Sequence, residues 1–130
     1  MYLLDANVVM SWLNGKEPAR GLVIHLLRGP HRVGVNAITL AEVHSGLTDA
    51  ARGDADRVME AFEFWAIVEQ VARDAGRHRW EFKRQGLQYS VPDMLMGAHA
   101  LYLDAWIVTD NIRDFPMPGL KILRPSDPWP

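Results

Sequence analysis

Short apolar runs separated by segments of helical periodicity constrain the fold of this chain more than any other feature. Tyr2–Leu4, Val33–Val35, Trp106–Val108 and Lys121–Leu123 are too brief for buried helices and read as strands, with Ile67-Val68 a further brief one. Helical patterns lie between them. Ala6–Leu13 stops at Asn14-Gly15, and a second helix opens at Glu17-Pro18, carries Leu22, Val23, Leu26 and Leu27, and ends at Gly29-Pro30. Thr39 to Leu47, a segment capped by Asp54, Glu69–Arg84 and Pro92–Leu103 complete the set. The alternation predicts an α/β fold, a mainly parallel central sheet flanked by helices. The 130 residues fit one domain, with the proline-punctuated 124–130 as an irregular tail.

The hydrophobic share of 48% and five tryptophans suffice for a core, which argues against disorder. With no cysteine, disulfides, thiol chemistry, zinc ribbons and iron–sulfur clusters are excluded. The start lacks a basic leader, and no apolar run reaches the roughly 18 to 20 residues a bilayer requires, so a cytoplasmic protein without membrane contact is expected. A net charge of −2 excludes a uniformly basic nucleic-acid binder but not a local basic face. Charge is indeed segregated: acids dominate from Asp49 to Glu69, and Arg73, Arg77, Arg79, Lys83 and Arg84 follow. Solvated helix faces and a substrate-facing stripe both fit that pattern.

Four segments place a carboxylate where an apolar pattern begins or ends: Leu4-Asp5-Ala6-Asn7, Thr39-Leu40-Ala41-Glu42, Pro92-Asp93-Met94, and Thr109-Asp110-Asn111-Ile112-Arg113-Asp114. Each has an ordinary role when taken alone. Asp5 can cap a helix, Thr39-x-x-Glu42 is a capping box, Asp93 suits a first helical turn, and Asp114 can close a turn. Ligands in such sheets bind beyond the carboxyl ends of the strands, where Asp5 and Thr109 both fall. Several carboxylates gathered there would repel one another, and a hard divalent cation held by oxygen ligands removes that conflict. The expectation is an open site for metal-dependent phosphoryl transfer.

These ordered segments resemble the signatures of PIN-domain nucleases, and more narrowly the VapC toxins of VapBC toxin–antitoxin systems, from the first residues to about Pro125. The resemblance implies a PIN-like three-layer sandwich and a toxin-type endoribonuclease using Mg2+ or Mn2+. It places Asp5, Glu42 and Asp93 on the family's regular acidic positions, with Asp5 and Asp93 as direct metal ligands. The fourth acid is Asp114, with Asp110 in reserve, because Asn111 and Asp114 stand in the register of the family's terminal motif. Asn7, Thr109 and Asn111 are expected to orient the ligands, and Arg84 and Arg113 to contact RNA. Implied partners are an RNA substrate such as tRNA, a cognate VapB-like antitoxin and a second copy in a homodimer. A stripe of Leu22, Ile24, Leu26 and Leu47 with Trp12 is the expected seat of an antitoxin helix, although core packing explains the same residues.

Two other functions fit parts of the pattern. A non-catalytic PIN-like scaffold would bind RNA or protein without metal. An aspartyl-nucleophile phosphatase would also place Asp5 after the first strand, but needs an Asp where Asn7 stands and a well-placed lysine. None of the five histidines has ligand spacing, and His99, six residues after Asp93, is expected to be structural.

Overall fold

The computed structural model describes residues 1–130. Strands β1 (Tyr2–Leu4), β2 (Val33–Val35), β3 (Glu63–Phe64), β4 (Trp106–Val108) and β5 (Lys121–Leu123) form one parallel sheet in the order β3-β2-β1-β4-β5. The helices are α1 (Ala6–Leu13), α2 (Ala19–Arg28), α3 (Ala37–Ser45), α4 (Asp49–Met59), α5 (Glu69–Arg84) and α6 (Val91–Tyr102). A short 3-10 turn spans Ile112–Asp114.

The centre of the sheet is covered on both faces, which explains why β1 and β2 are buried throughout rather than alternating, while the edge strand β3 is exposed. Tyr2, Leu4, Val33, Val35, Val108 and Leu123 join a core with Val8 and Val9 of α1 and Leu22, Val23 and Leu26 of α2. Leu3 and Ile107 point the other way, onto Trp65 and onto Met96 and Ala100 of α6. Val71 and Ala75 of α5 then pack against Met94 and Ala98 of α6. The expected α/β sandwich is therefore present, and no helix is long and apolar enough to cross a membrane.

Several local expectations are corrected. The brief strand is Glu63–Phe64 rather than Ile67-Val68, because buried Phe62 and Trp65 anchor the chain beside β2 while Arg32 clamps Glu63. Helix α3 begins at Ala37 under an Asn36 cap, so Thr39 lies inside it and forms no capping box with Glu42. Thr48, not Asp54, caps α4. Leu22 and Leu26 are wholly buried and cannot receive a partner helix. The 124–130 tail is irregular, as expected, yet it is held down: the Trp129 indole donates to the Pro125 carbonyl at 3.0 Å and its ring packs on His25.

Gly34 in β2 faces the Trp65 ring, and a Cβ added there would lie 2.6 Å from rigid indole atoms. Gly34→Ala should accordingly destabilise the fold by about 1–3 kcal/mol through overpacking. Urea unfolding checks this: an unchanged midpoint would mean that the ring moves aside freely.

Candidate active site

The connection from β1 runs outward to β2 on one side, while β4 lies against β1 on the other and passes on to β5. The point where the strand order reverses therefore lies past the carboxyl ends of β1 and β4, the place where such sheets bind ligands. Asp5 leaves β1 there, and Thr109 leaves β4.

Hydrogen bonds fix Asp5 tightly. Its Oδ1 accepts from the Ala6 amide at 2.8 Å, capping α1. Its Oδ2 accepts from the Thr109 hydroxyl at 2.7 Å and from the Asn7 side-chain amide at 3.1 Å. Asn7 also donates to Thr109 Oγ1 at 3.2 Å, and that oxygen accepts from the Asn111 amide at 3.0 Å. Residues 104 apart in sequence thus hold one carboxylate in a single orientation. Asn111 takes part through its backbone, while its side chain is exposed.

A buried polar chain sets the helices that carry the other acids. Thr39 of α3 donates its hydroxyl to the Leu4 carbonyl at 2.8 Å, pinning α3 to the end of β1. The Asn36 Oδ1 caps α3, and its amide nitrogen lies 3.0 Å from His99 Nδ1 on α6. Asn36, Thr39 and His99 are all wholly buried. His99 is thus structural, as its spacing implied. Asn36 went unnoticed in the sequence, although an Asn before an apolar segment is a cap signal; the nearby Thr39-x-x-Glu42 pattern masked it. Ser90 caps α6 by accepting from the Asp93 amide at 3.1 Å.

The acids gathered by this framework repel one another. Burial raises the Asp5 pKa above its ordinary value, with Thr109 and Ala6 pulling it back and the negative charges of Asp93 and Asp114 adding to the rise. Glu42 is exposed on its outer side, but partial burial of its carboxyl and the charges of Asp5 and Asp93 raise its pKa too. Burial likewise raises Asp93, opposed by Ser90 and reinforced by Asp114. Asp5, Glu42, Asp93 and Asp114 therefore share one electrostatic neighbourhood. Asp110 stands apart, exposed, with its amide donating weakly to Asn7 Oδ1 at 3.4 Å. Arg113 is exposed on the 3-10 turn beside Asp114, and Arg84 lies at the end of α5 over the Trp80 ring.

No three acidic or histidine side chains close around a common point. The cluster is an open set of hard oxygen donors, which suits a cation that takes one or two carboxylates and fills its remaining positions from water and phosphate. A sulfur- or imidazole-rich cage is absent.

The raised pKa values have a thermodynamic consequence. The folded protein binds protons at Asp5, Glu42 and Asp93 more tightly than the unfolded chain does. Stability contributed by these groups is therefore fully present below the unfolded carboxylate range. It is lost as pH rises through the raised folded values. Glu63, lowered to about 2 by Arg32, works in the opposite sense, so the test is a difference measurement. In metal-free buffer Asp93→Asn should melt above the parent protein at neutral pH, and the gap should shrink on acidification. A gap independent of pH would contradict the assigned repulsion.

A family model described as the PIN domain matches residues 2–116. Ribonuclease VapC19 of Mycobacterium tuberculosis is 24% identical over 117 residues, covering 90% of this chain and 94% of that protein. Ribonuclease VapC10 of the same organism is 28% identical over 118 residues, covering 90% and 87%. Among solved structures, VapBC2 from Rickettsia felis, bound to a DNA fragment from its promoter, superposes with a TM-score of 0.81 at 22% identity, covering 95% of this chain and 97% of that one.

Proposed function

Since this chain belongs to the PIN domain family, we propose that it is a toxin-type endoribonuclease that hydrolyses RNA phosphodiesters with Mg2+ or Mn2+. The observation that carries the reading is the mutual repulsion linking Asp5, Glu42, Asp93 and Asp114, each on a different element, past the carboxyl ends of β1 and β4. Relatives named as VapC ribonucleases along nearly the whole chain support it.

In this reading Asp5 and Asp93 hold the cation. When bound, it supplies a water of lowered pKa and neutralises charge on the phosphate oxygens. Thr109 and Asn7 hold the Asp5 carboxylate in one orientation. Glu42 and Asp114 flank it, to orient the attacking water and accept its proton, with Asp110, exposed beside Asn7, as the reserve for Asp114. Arg113, which faces no carboxylate, is available to a phosphate of the substrate. The products are a 3′-hydroxyl and a 5′-phosphate.

The same reading gives the protein a VapB-like antitoxin, a homodimeric state and a cytoplasmic location. The seat for an antitoxin helix is not the α2 stripe but an open groove of about 260 Å³ between α1 and α4, lined by Leu13, Leu47, Ala51, Ala55 and Val58 with Asn14 and Asp54 at its edge. An amphipathic helix can lay its apolar face there.

The test is incubation of purified protein with RNA in magnesium or manganese, with and without excess EDTA. Cleavage that EDTA abolishes is the expected result. RNA left intact by the antitoxin-free protein in both metals overturns the assignment.

A further inference from the structure

Eight of the 14 lysines and arginines face a carboxylate within an ion pair. Lys16, Arg28, Arg79, Lys83, Arg84 and Arg113 do not, and three of these six fall in the last two turns of α5. Half of the unpaired cations are thus concentrated where α5 ends.

Two adjacent ridges of α5 carry them. Arg79 and Lys83, one turn apart, line a cleft of about 60 Å³ with Leu87, Gln88 and Tyr89. Arg79 donates Nε to the Tyr89 carbonyl at 2.9 Å, which fixes the guanidinium at the cleft while leaving its terminal nitrogens unengaged. On the next ridge Trp80 is 55% exposed, and the Arg84 guanidinium lies 4.8 Å from its ring centroid. The cleft borders the loop that leads to Asp93: Tyr89 precedes Ser90, the cap of the helix carrying that acid.

We propose that this end of α5 binds RNA next to the scissile bond, the cleft taking a backbone phosphate and the Trp80–Arg84 pair taking an unpaired base. A compact cationic pocket fits a phosphate. A flat exposed ring backed by a guanidinium fits the face of a base, which a duplex keeps hidden within its stack. The substrate is therefore engaged as a single strand or loop. This rests on the reading of the protein as a ribonuclease, but its test does not require cleavage.

The experiment measures binding of a fluorescein-labelled single-stranded RNA oligonucleotide, and of the duplex of the same sequence, by fluorescence anisotropy in EDTA. Trp80→Ala should weaken single-strand binding about tenfold while leaving duplex binding within about twofold, and Trp80→Phe should restore most of the loss. Lys83→Ala and Arg79→Ala should weaken both RNAs and lower the slope of log affinity against log salt by about 1 each. Thermal melting of each variant confirms folding. Failure of the unaltered protein to bind the single strand, equal losses for both RNAs in Trp80→Ala, or an unchanged salt slope in Lys83→Ala overturns the proposal. So does dissociation of a dimer by Trp80→Ala in sedimentation, which would assign the ring to a second copy of the chain. RNA binding in EDTA without cleavage in magnesium refutes the nuclease reading alone. Cleavage in magnesium with unchanged binding by the variants refutes this surface alone.

Discussion

Asp5→Asn or Asp93→Asn should lower metal-dependent RNA cleavage by about a thousandfold or more, since the cation's stabilisation of developing charge amounts to several kcal/mol and each tenfold in rate is about 1.36 kcal/mol. The amide keeps the shape of the carboxylate and removes one negative charge, so the loss is not a packing effect. Asn at position 5 can still accept from the Ala6 amide through its one oxygen, which preserves the α1 cap, while its amide nitrogen faces the Thr109 hydroxyl oxygen. The two variants should also bind Mn2+ more weakly in calorimetry. Asp93→Asn should melt no lower than the parent protein in metal-free neutral buffer, because it relieves repulsion within the cluster. Activity near the parent level in either variant would remove the carboxylate cluster from the chemistry.

The second large effect belongs to a residue that touches neither metal nor RNA in this account. Thr109→Val replaces a hydroxyl by a methyl group of similar volume. Asp5 Oδ2 then loses its 2.7 Å donor, and the Asn7 amide loses one of its acceptors. Positioning partners of metal-binding carboxylates are worth about 10–100-fold in affinity or activity, and a loss in that range is expected for Mn2+ binding measured by calorimetry. The sign of the accompanying titration is also determined. Thr109 lowers the Asp5 pKa, so its removal pushes that pKa further up and moves the acidic limb of binding to higher pH. Thr109→Ser restores the hydroxyl and should restore both quantities. Equal binding by the Val variant would show that Asp5 holds its orientation without the bond.

Most of the architecture was legible because its signals are local. Runs such as Tyr2–Leu4 and Trp106–Val108 are too short and too apolar for anything but buried strands, and Asn14-Gly15 and Gln85-Gly86 end helices by backbone chemistry alone. The site residues were legible only as an ordered set, since Asp5, Glu42, Asp93 and Asp114 each have a capping or turn explanation in isolation. What failed was the arbitration between local signals and distant packing. Ile67-Val68 has strand composition, yet buried Phe62 and Trp65 bring Glu63-Phe64 to the sheet edge. Thr39 has a capping partner in Glu42, yet its hydroxyl goes to the Leu4 carbonyl on another element. The stripe Leu22 and Leu26 looked available to a partner because periodicity marks a hydrophobic face without saying what already covers it. Of the two arginines singled out for RNA, neither is distinguished by composition; the unpaired state of both emerges only when the ion pairs of the eight paired cations are known.

The central position of β1 has a kinetic meaning. Its neighbours are Val33–Gly34 on one side and Trp106–Val108 on the other, so its second edge is satisfied only by chain made about a hundred residues later. Parallel pairing over such separations gives a high contact order and slow closure. During synthesis, Asp5 emerges early but waits for Thr109 before it is held, and Asp114 arrives later still. The carboxylate cluster is therefore incomplete until the chain past Asp114 has been made.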